Sequence, residues 1–365
     1  MNHVPSVKLS LLVAIFALAA MAAPADKMAA VGDVAQHAVE QSQLTLPGSA
    51  PFHLKAAITE TTNPESQYSA EVEEYWISPE KWRRSIHSPE FSQTLIVNGD
   101  RISEQDSGDY YPFWLHDLVT ALFDPLPMAQ QLRAFRAQIQ LPSDSPRSTS
   151  CMNSQTHSGT PPAQSTLPLV FCFQGKNGLL KSVTTPGYNA LFSGFQPFKN
   201  KQVPRQVTIN PQPGTTIVAK ITQLEQISSP DEALFTVAQP TPAAQQIKSV
   251  ELSEDLARRI AKNTPEIVWP AVRAGKTSGV LAVYISVDRS GHVQEVWPLN
   301  SDNPALNDAA RRQVSQWQFQ PYVNGVPMQM QSVLTFAFTT RIDNPYPLLD
   351  NAQARKLAIH NDHVL

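Results

Sequence analysis

The sequence predicts an α+β protein with two domains, and three observations lead to this fold class. Apolar and polar residues alternate from Phe52 onward, as in half-buried strands, and the pattern recurs to about residue 225. A short polar segment rich in proline, residues 239–249, is typical of a linker. The chain beyond it has the pattern of a helix, two strands, a second helix and further strands. With 365 residues, the chain is also too long for one ordinary core.

Changes of composition divide the chain into five parts. Residues 1–23 are a predicted signal peptide and residues 24–238 a β-rich domain. The linker 239–249 follows, then a small α/β domain at 250–345 and a tail at 346–365.

The N-terminus has the composition of a secretory signal. Lys8 precedes an uncharged apolar run, Leu9–Ala20, and Ala22 and Ala23 supply the small residues that a signal peptidase requires. The run is shorter than the ~20 residues that cross a bilayer as a helix. We therefore expect cleavage near Ala22/Ala23 and export of a soluble mature protein, with an uncleaved anchor as the alternative.

The charge balance excludes one class of partner. The formal net charge is −3, from 28 Lys and Arg against 31 Asp and Glu. Nucleic acids and anionic membranes attract basic surfaces. We expect no nucleic acid among the partners.

The two cysteines of the chain, Cys151 and Cys172, predict a disulfide, because export places them in an oxidising compartment. The bridge closes a loop of about 20 residues and contributes on the order of 3 kcal/mol to stability. A redox or metal role is the less favoured alternative, since the spacing fits neither a CxxC pair nor a zinc site.

Alternation and turn residues place the elements of the first domain. The Asn98-Gly99 pair is a strong hairpin signal. Helical spacing predicts helices over Met28–Ser42, Tyr110–Phe123 and Met128–Gln138. The predicted strands begin at Phe52 and continue as Tyr68–Ile77, Trp82–His87, Ser92–Val97, Arg101–Ser103, Leu169–Phe173, Gly178–Val183, Ala190–Phe195, Gln206–Ile209 and Thr215–Leu224.

Three short segments give this domain a family resemblance. They are Tyr75–Arg84, Val97–Arg101 and Asp109–Pro112, within about residues 50–225. The domain resembles the periplasmic lipoprotein-carrier fold of the LolA, LolB and RseB type. The resemblance implies an antiparallel half-barrel sheet with helices on its concave face, and a lipid or acyl ligand as the alternative partner.

Caps and periodicity place the elements of the second domain. Ser253 is a predicted N-cap, and Asn303 is another, with Pro304 at the first helical position. The predicted strands and turns are Gly279–Asp288, the turn Asp288–Gly291, His292–Leu299, the segment from Phe319 to Pro321, the turn Asn324-Gly325, and a last strand from Met330 to Phe338.

The order of these elements, together with Trp269-Pro270 and the Trp317-Gln318-Phe319-Gln320-Pro321 run, resembles the TonB C-terminal domain family over about residues 250–342. The resemblance implies a small α/β sandwich in the periplasm that binds an extended segment of an envelope partner by β-augmentation. An outer-membrane receptor or a component of a TonB system is such a partner. The predicted binding edge is Met328, Gln329, Met330, Gln331, Ser332 and Val333.

An alternative covers this edge with the chain itself, either by the tail Tyr346–Leu365 or by the first domain. The sequence also departs from energy-transducing TonB proteins. A β-rich domain stands where they have a long spacer, and Thr264 precedes Pro265 where they have a receptor-contacting glutamine. These departures argue against energy transduction and leave the predicted fold unchanged.

We expect no enzymatic activity, no cofactor and no metal site. The sequence has no HExxH, P-loop, GxSxG or GxGxxG motif. His360 and His363 are interpreted as part of a mobile tail. The neighbouring carboxylates Glu71, Glu73 and Glu74 are expected to face solvent from a strand.

Overall fold

A computed structural model describes residues 36–61, 66, 68–126, 149–154, 169–174, 178–185, 188–211, 214–323 and 325–343. The predicted signal peptide, the predicted helix Met128–Gln138, the tail and its two histidines lie outside the described residues. Residues 28–35 of the predicted helix Met28–Ser42 also lie outside them. Its remaining residues, 36–42, are helical and form α1.

The first domain is built on one antiparallel sheet of 11 strands. Its spatial order is β5-β4-β3-β2-β1-β13-β12-β9-β8-β7-β6, so the sheet is an open half-barrel with β5 and β6 at its edges. A small hairpin, β10 with β11, lies beside it. The strands are β1 Phe52–Glu60, β2 Ala70–Ser78, β3 Lys81–His87, β4 Ser92–Asn98, β5 Arg101–Asp106, β6 Thr149–Ser154, β7 Leu169–Gln174, β8 Leu179–Thr184, β9 Asn189–Ser193, β10 Gln196–Phe198, β11 Lys201–Val203, β12 Gln206–Asn210 and β13 Ile217–Gln226.

The predicted strands are confirmed within a few residues at each end. In β1, buried and less buried side chains alternate as the sequence pattern indicates. The prediction missed β6 and the β10–β11 hairpin. It also extended β9 to Phe195, whereas the strand ends at Ser193 because Gly194 adopts a positive φ of 66°.

One long helix, α2 Phe113–Phe123, packs on the sheet of the first domain. It begins after Pro112, three residues later than predicted. Nine of its 11 residues are buried, among them Leu115 and Leu118 with no exposed surface. A helix buried on nearly all sides lies between other layers, and α2 is enclosed by the large sheet and by the second domain.

Glu74 corrects one of the expectations. It was predicted to face solvent, but it is fully buried because it lies on the same inner face of β2 as Val72 and Trp76. Arg84, opposite it in β3, donates from Nε to Oε2 at 2.5 Å. The guanidinium of Arg84 also lies 4.1 Å from the ring centre of Phe123.

The second domain has a four-stranded sheet in the order β14-β21-β16-β17. One face carries a separate apolar core, which includes Val283, Ile285 and Leu334 beneath the two helices. The bounds are β14 Ser249–Leu252, α3 Glu254–Ile260, β15 Ala261–Asn263, β16 Ser278–Val287, β17 Val293–Ser301, α4 Asn307–Val314, β18 Gln318–Phe319, β19 Tyr322–Val323, β20 Val326–Pro327 and β21 Gln329–Thr339.

Both predicted N-caps of this domain are present. Ser253 Oγ accepts a hydrogen bond from Leu256 N at 3.4 Å, and Asn303 Oδ1 accepts one from Ala305 N at 3.1 Å. Asn303 caps a 3-10 turn, Pro304–Leu306, that leads into α4. The half-barrel sheet of the first domain and the small sheet with two helices in the second confirm the α+β fold class predicted from the sequence.

Candidate partner-binding edge

The strand β21 has two hydrogen-bonding sides. Its even-numbered residues bond to β16, as the continuous register and the bond from Thr340 N to Thr277 O show. Because bonding direction alternates along an antiparallel strand, the odd-numbered residues point their N–H and C=O groups to the opposite side. That side is the one on which a partner was predicted to bind.

A strand of this same chain already occupies part of that side. β14 runs parallel to β21 and pairs Ser249 with Gln329 through Leu252 with Ser332. Gln329 N donates to Lys248 O at 2.9 Å, and Ser332 Oγ donates to Leu252 O at 2.9 Å. The covering segment is β14, which begins at the last residue of the predicted linker, whereas the tail lies outside the described residues.

The six predicted edge residues differ in their environments. Met328 precedes β21 and donates from its N–H to Pro321 O at 2.9 Å. Met330 is fully buried in the core, so its side chain is not on a binding surface. Gln329, Gln331 and Ser332 make side-chain hydrogen bonds within the protein, and Val333 follows the last residue that pairs with β14.

Two side chains of α3 continue the cover beyond β14. Thr335 N donates to Glu254 Oε1 at 2.9 Å, and Arg258 Nη2 donates to Thr335 O at 2.8 Å. Glu254 and Arg258 are themselves paired at 2.7 Å. An ion pair thus satisfies the main-chain groups that a neighbouring strand normally satisfies.

Near the end of β21, two residues have no neighbouring strand on this side among the described residues. Ala337 and Thr339 are exposed and direct their outward main-chain groups away from β16. No strand among the described residues pairs with β21 there. Just beyond it, Val272 N donates to Arg341 O at 2.9 Å and Asp343 N donates to Val272 O at 2.7 Å, so the gap on this side spans Ala337 and Thr339. An unpaired edge of this kind is a template for an additional strand.

The second face of the small sheet contacts the first domain. The Gln329 side chain accepts from Tyr111 N and donates to Tyr111 O, each at 3.0 Å. Tyr110 Oη lies 2.8 Å from Ser286 Oγ. Arg289 donates from Nη2 to Asp109 Oδ1 at 2.7 Å. These polar contacts fix the two domains relative to each other.

Acidic groups lie within this interdomain contact. Burial raises the pKa of Glu295 to about 7, against a lowering by the Ser286 hydrogen bond and a further rise from nearby Asp117. Burial also raises the pKa of Asp117, which the adjacent His116 opposes. Both carboxyls line a small cavity of about 10 Å³ with Tyr68, Trp114, Pro211, Tyr284 and Trp297.

The predicted linker is bound along the edge of the first sheet. Thr241 N donates to Ile102 O at 2.7 Å. Thr241 Oγ1 accepts from Glu104 N at 2.8 Å and donates to Glu104 O at 3.0 Å. Farther along, Ile247 N donates to the Glu104 carboxylate at 2.6 Å. The segment turns at residues 243–245, where Gln245 N donates to Pro242 O at 2.8 Å, and it lies against β5.

The predicted disulfide is confirmed. Cys151 in β6 and Cys172 in β7 face each other across the ladder and are bonded. Among the described residues, the bridge therefore joins an edge strand of the first sheet to the strand beside it. It lies at the end of the sheet opposite to β5.

The described residues also outline a larger concavity, of about 410 Å³, on the outer side of the first sheet. Its lining includes Lys55, Glu71, Glu73 and His87. Glu73 is bonded to His53, Lys55 and Tyr75, and these bonds outweigh burial and lower its pKa. These charged side chains disfavour an acyl chain at this concavity. Within the described ranges, no group of three or more His, Cys, Asp or Glu has the arrangement of a metal site.

Comparisons with known proteins identify the second domain. Residues 269–340 match the family model for the Gram-negative bacterial TonB protein C-terminal domain. The resemblance predicted from the sequence is confirmed over this range. No curated protein matches the chain.

The chain is similar to solved structures that cover a little more than half of its length. A LolA superfamily protein from Nitrosomonas europaea is 11% identical, with a TM-score of 0.35, over 56% of this chain and 96% of its own. A DUF1329 family protein from Desulfovibrio piger is 11% identical, with a TM-score of 0.37, over 57% of this chain and 97% of its own. At this similarity neither structure indicates a function. None of the helices in the described part of the chain has the length and apolar composition needed to span a membrane.

Proposed function

We propose that this chain is a non-catalytic periplasmic protein whose TonB-type domain binds an extended segment of an envelope partner at the edge of β21. The observation that carries the proposal is the incomplete cover of that edge. Four residues of β14, the Glu254–Arg258 ion pair and, just beyond β21, Val272 occupy parts of it, while Ala337 and Thr339 between them pair on this side with no strand of the described chain.

The physical basis is the hydrogen-bonding potential of the edge. An added strand satisfies main-chain donors and acceptors at every second residue, which gives affinity without a preformed pocket. Along β21 the available positions are the odd-numbered residues, with Ala337 and Thr339 already uncovered. The match to the TonB C-terminal family supports the choice of an envelope protein as the partner. An outer-membrane receptor or a TonB-system component is the proposed class.

A proline substitution tests this use of the edge. Ala337→Pro removes one outward N–H and leaves the bonds of the even-numbered residues to β16 in place. The matched control, Ala337→Ser, keeps that N–H. After crosslinking in intact cells, we expect the partner to be recovered with the wild type and the serine variant and lost with the proline variant. Recovery of the same partners with all three proteins contradicts the proposal.

The second candidate function is a lipid or acyl carrier formed by the half-barrel. The apolar inner face of the first sheet, packed against α2, is the observation that favours it. Native mass spectrometry of the gently purified protein tests it. A bound lipid mass supports the carrier, and a clean protein mass without uptake of fluorescent fatty acid contradicts it.

A further inference from the structure

Residues 241–252, here called the strap, run from the edge of one sheet to the edge of the other. From the bonds at its two ends we propose that the strap is an inhibitory element. It occupies the partner-binding edge and ties the two domains together, so that partner binding and loosening of the domains are one event. This inference rests on the proposed binding function of β21.

The first end of the strap is fixed to β5. Thr241 forms three hydrogen bonds there, one to Ile102 and two to the main chain of Glu104. Gln246 Nε2 donates to Thr241 O at 3.1 Å and tightens the turn that follows. The Glu104 carboxylate then holds Ile247 N. The first domain thus determines where the strap leaves its surface.

The second end of the strap is β14, and it starts two residues after Ile247. The side chains of Val250 and Leu252 pack against the apolar core of the second domain, while Ser249 and Glu251 alternate with them. Only one residue, Lys248, separates the two attachments, and its C=O accepts from Gln329 N. Movement at one end is therefore transmitted to the other with little slack.

Gln329 connects the strap to the domain contact. Its side-chain amide bonds to both main-chain groups of Tyr111 in the first domain and donates to Ser249 Oγ in the strap at 2.8 Å. Arg289 makes a similar connection, from Nη1 to Gln245 O at 2.6 Å and from Nη2 to Asp109. Removing β14 from the edge breaks bonds that these two side chains share with the first domain.

The strap is a suitable inhibitor because it is short and tethered. Four paired residues make a weak strand on their own, but a segment attached at both ends has a high effective concentration at its site. A free extended peptide competes poorly with it. A partner that also contacts other surfaces of the second domain competes well. The strap therefore disfavours non-specific strand addition.

A peptide of the chain's own residues 247–253 is the probe for the first test. The variant Val250→Ser/Leu252→Ser removes the apolar anchors of the strap and leaves its main chain intact. The matched control is Val268→Ser, which changes a valine that is 74% exposed. We expect the labelled peptide to bind the anchor variant at least tenfold more tightly than it binds the wild type or the control.

Hydrogen exchange on the same proteins gives the second readout. In the anchor variant, the amides of Gln331 and Val333 should exchange at least tenfold faster than in the wild type, while amides of β16 stay protected and show that the domain is folded. Equal peptide affinity together with unchanged exchange at the edge overturns the inference.

The coupling between the two ends is tested at a distance from the edge. Thr241→Val removes the hydroxyl bonds to Glu104 and touches no residue of β21. If the strap acts as one unit, exchange at Gln331 and Val333 rises severalfold in this variant as well. A change confined to β5 overturns the coupling. These measurements use this chain alone, so their failure is distinct from a failure to find an envelope partner.

Discussion

The side-chain amide of Gln329 pairs with both main-chain groups of Tyr111, donating to its C=O and accepting from its N–H at 3.0 Å each. Gln329 has no exposed surface, and it also donates to Ser249. A buried main-chain group needs a partner, so this one amide completes the hydrogen bonding of a residue in the other domain. The pair shows that the two domains are built to contact each other.

Gln329→Ala should therefore destabilise the domain contact. The substitution leaves buried main-chain groups of Tyr111 without partners, at a cost of about 2–4 kcal/mol. We expect denaturant unfolding to separate into two transitions where the wild type shows one. Gln316→Ala, at an exposed position of the same domain, is the control and should leave the profile unchanged. A single, unshifted transition in Gln329→Ala contradicts this reading of the contact.

Glu295 should make the domain contact sensitive to pH. Burial raises its pKa to about 7, above the unfolded value of 4.5, so the folded state binds the proton more tightly. The contribution to stability is complete below about pH 4.5 and is lost as pH rises through 7. Near it lie Tyr110, Tyr284 and Asp117, which provide no positive charge.

We expect the unfolding free energy to fall by about 2 kcal/mol between pH 5 and pH 8. This value is smaller than the full pKa difference implies, because Glu295 keeps some contact with water that screens its charge. Denaturant titrations at the two pH values measure it. Glu295→Gln should flatten this dependence, whereas Glu266→Gln, at an exposed position, should retain it. A pH profile that Glu295→Gln leaves unaltered is the contrary result.

Arg84 should be essential to the first domain's core. Arg84→Ala leaves the fully buried Glu74 without its charged partner and is expected to cost about 3–5 kcal/mol. Replacing both residues, as in Glu74→Leu/Arg84→Met, should recover much of that loss. Thermal unfolding compares them with Arg83→Ala, the neighbouring arginine on the opposite face of β3. A loss in Arg84→Ala no larger than in Arg83→Ala refutes the prediction.

Gly291 should tolerate no side chain. Its φ is +93°, and a Cβ there would lie 2.1 Å from Phe319 O. Gly291→Ala is expected to destabilise the second domain by more than ~1 kcal/mol, through both backbone strain and the clash. Gly325→Ala separates the two causes, because Gly325 also has a positive φ, +77°, but no atom within 4 Å of its Cβ. The larger loss in Gly291→Ala, measured by chemical unfolding, is the expected order.

Several features of the site were within reach of the sequence, and others were not. The burial of Glu74 follows from its spacing of two residues from Val72 and Trp76, which places all three on one face of β2. β14 has the alternating pattern of Ser249, Val250, Glu251 and Leu252, yet four residues are too few to distinguish a strand from a loop. Its parallel pairing with β21 left no local trace, because the two segments lie about 80 residues apart in the chain.

The sequence by itself determined the fold class, nearly all strands of the large sheet, the caps at Ser253 and Asn303, the bonded cysteines and the TonB-type domain. Each depends on periodicity, turn chemistry or motif order among residues close in the chain. Only the tertiary structure decided that the linker binds β5, that β14 covers β21, and that Gln329 joins the two domains. Those contacts depend on which surfaces meet after folding, and a polar side chain such as Gln329 acquires its role from a main chain more than 200 residues away.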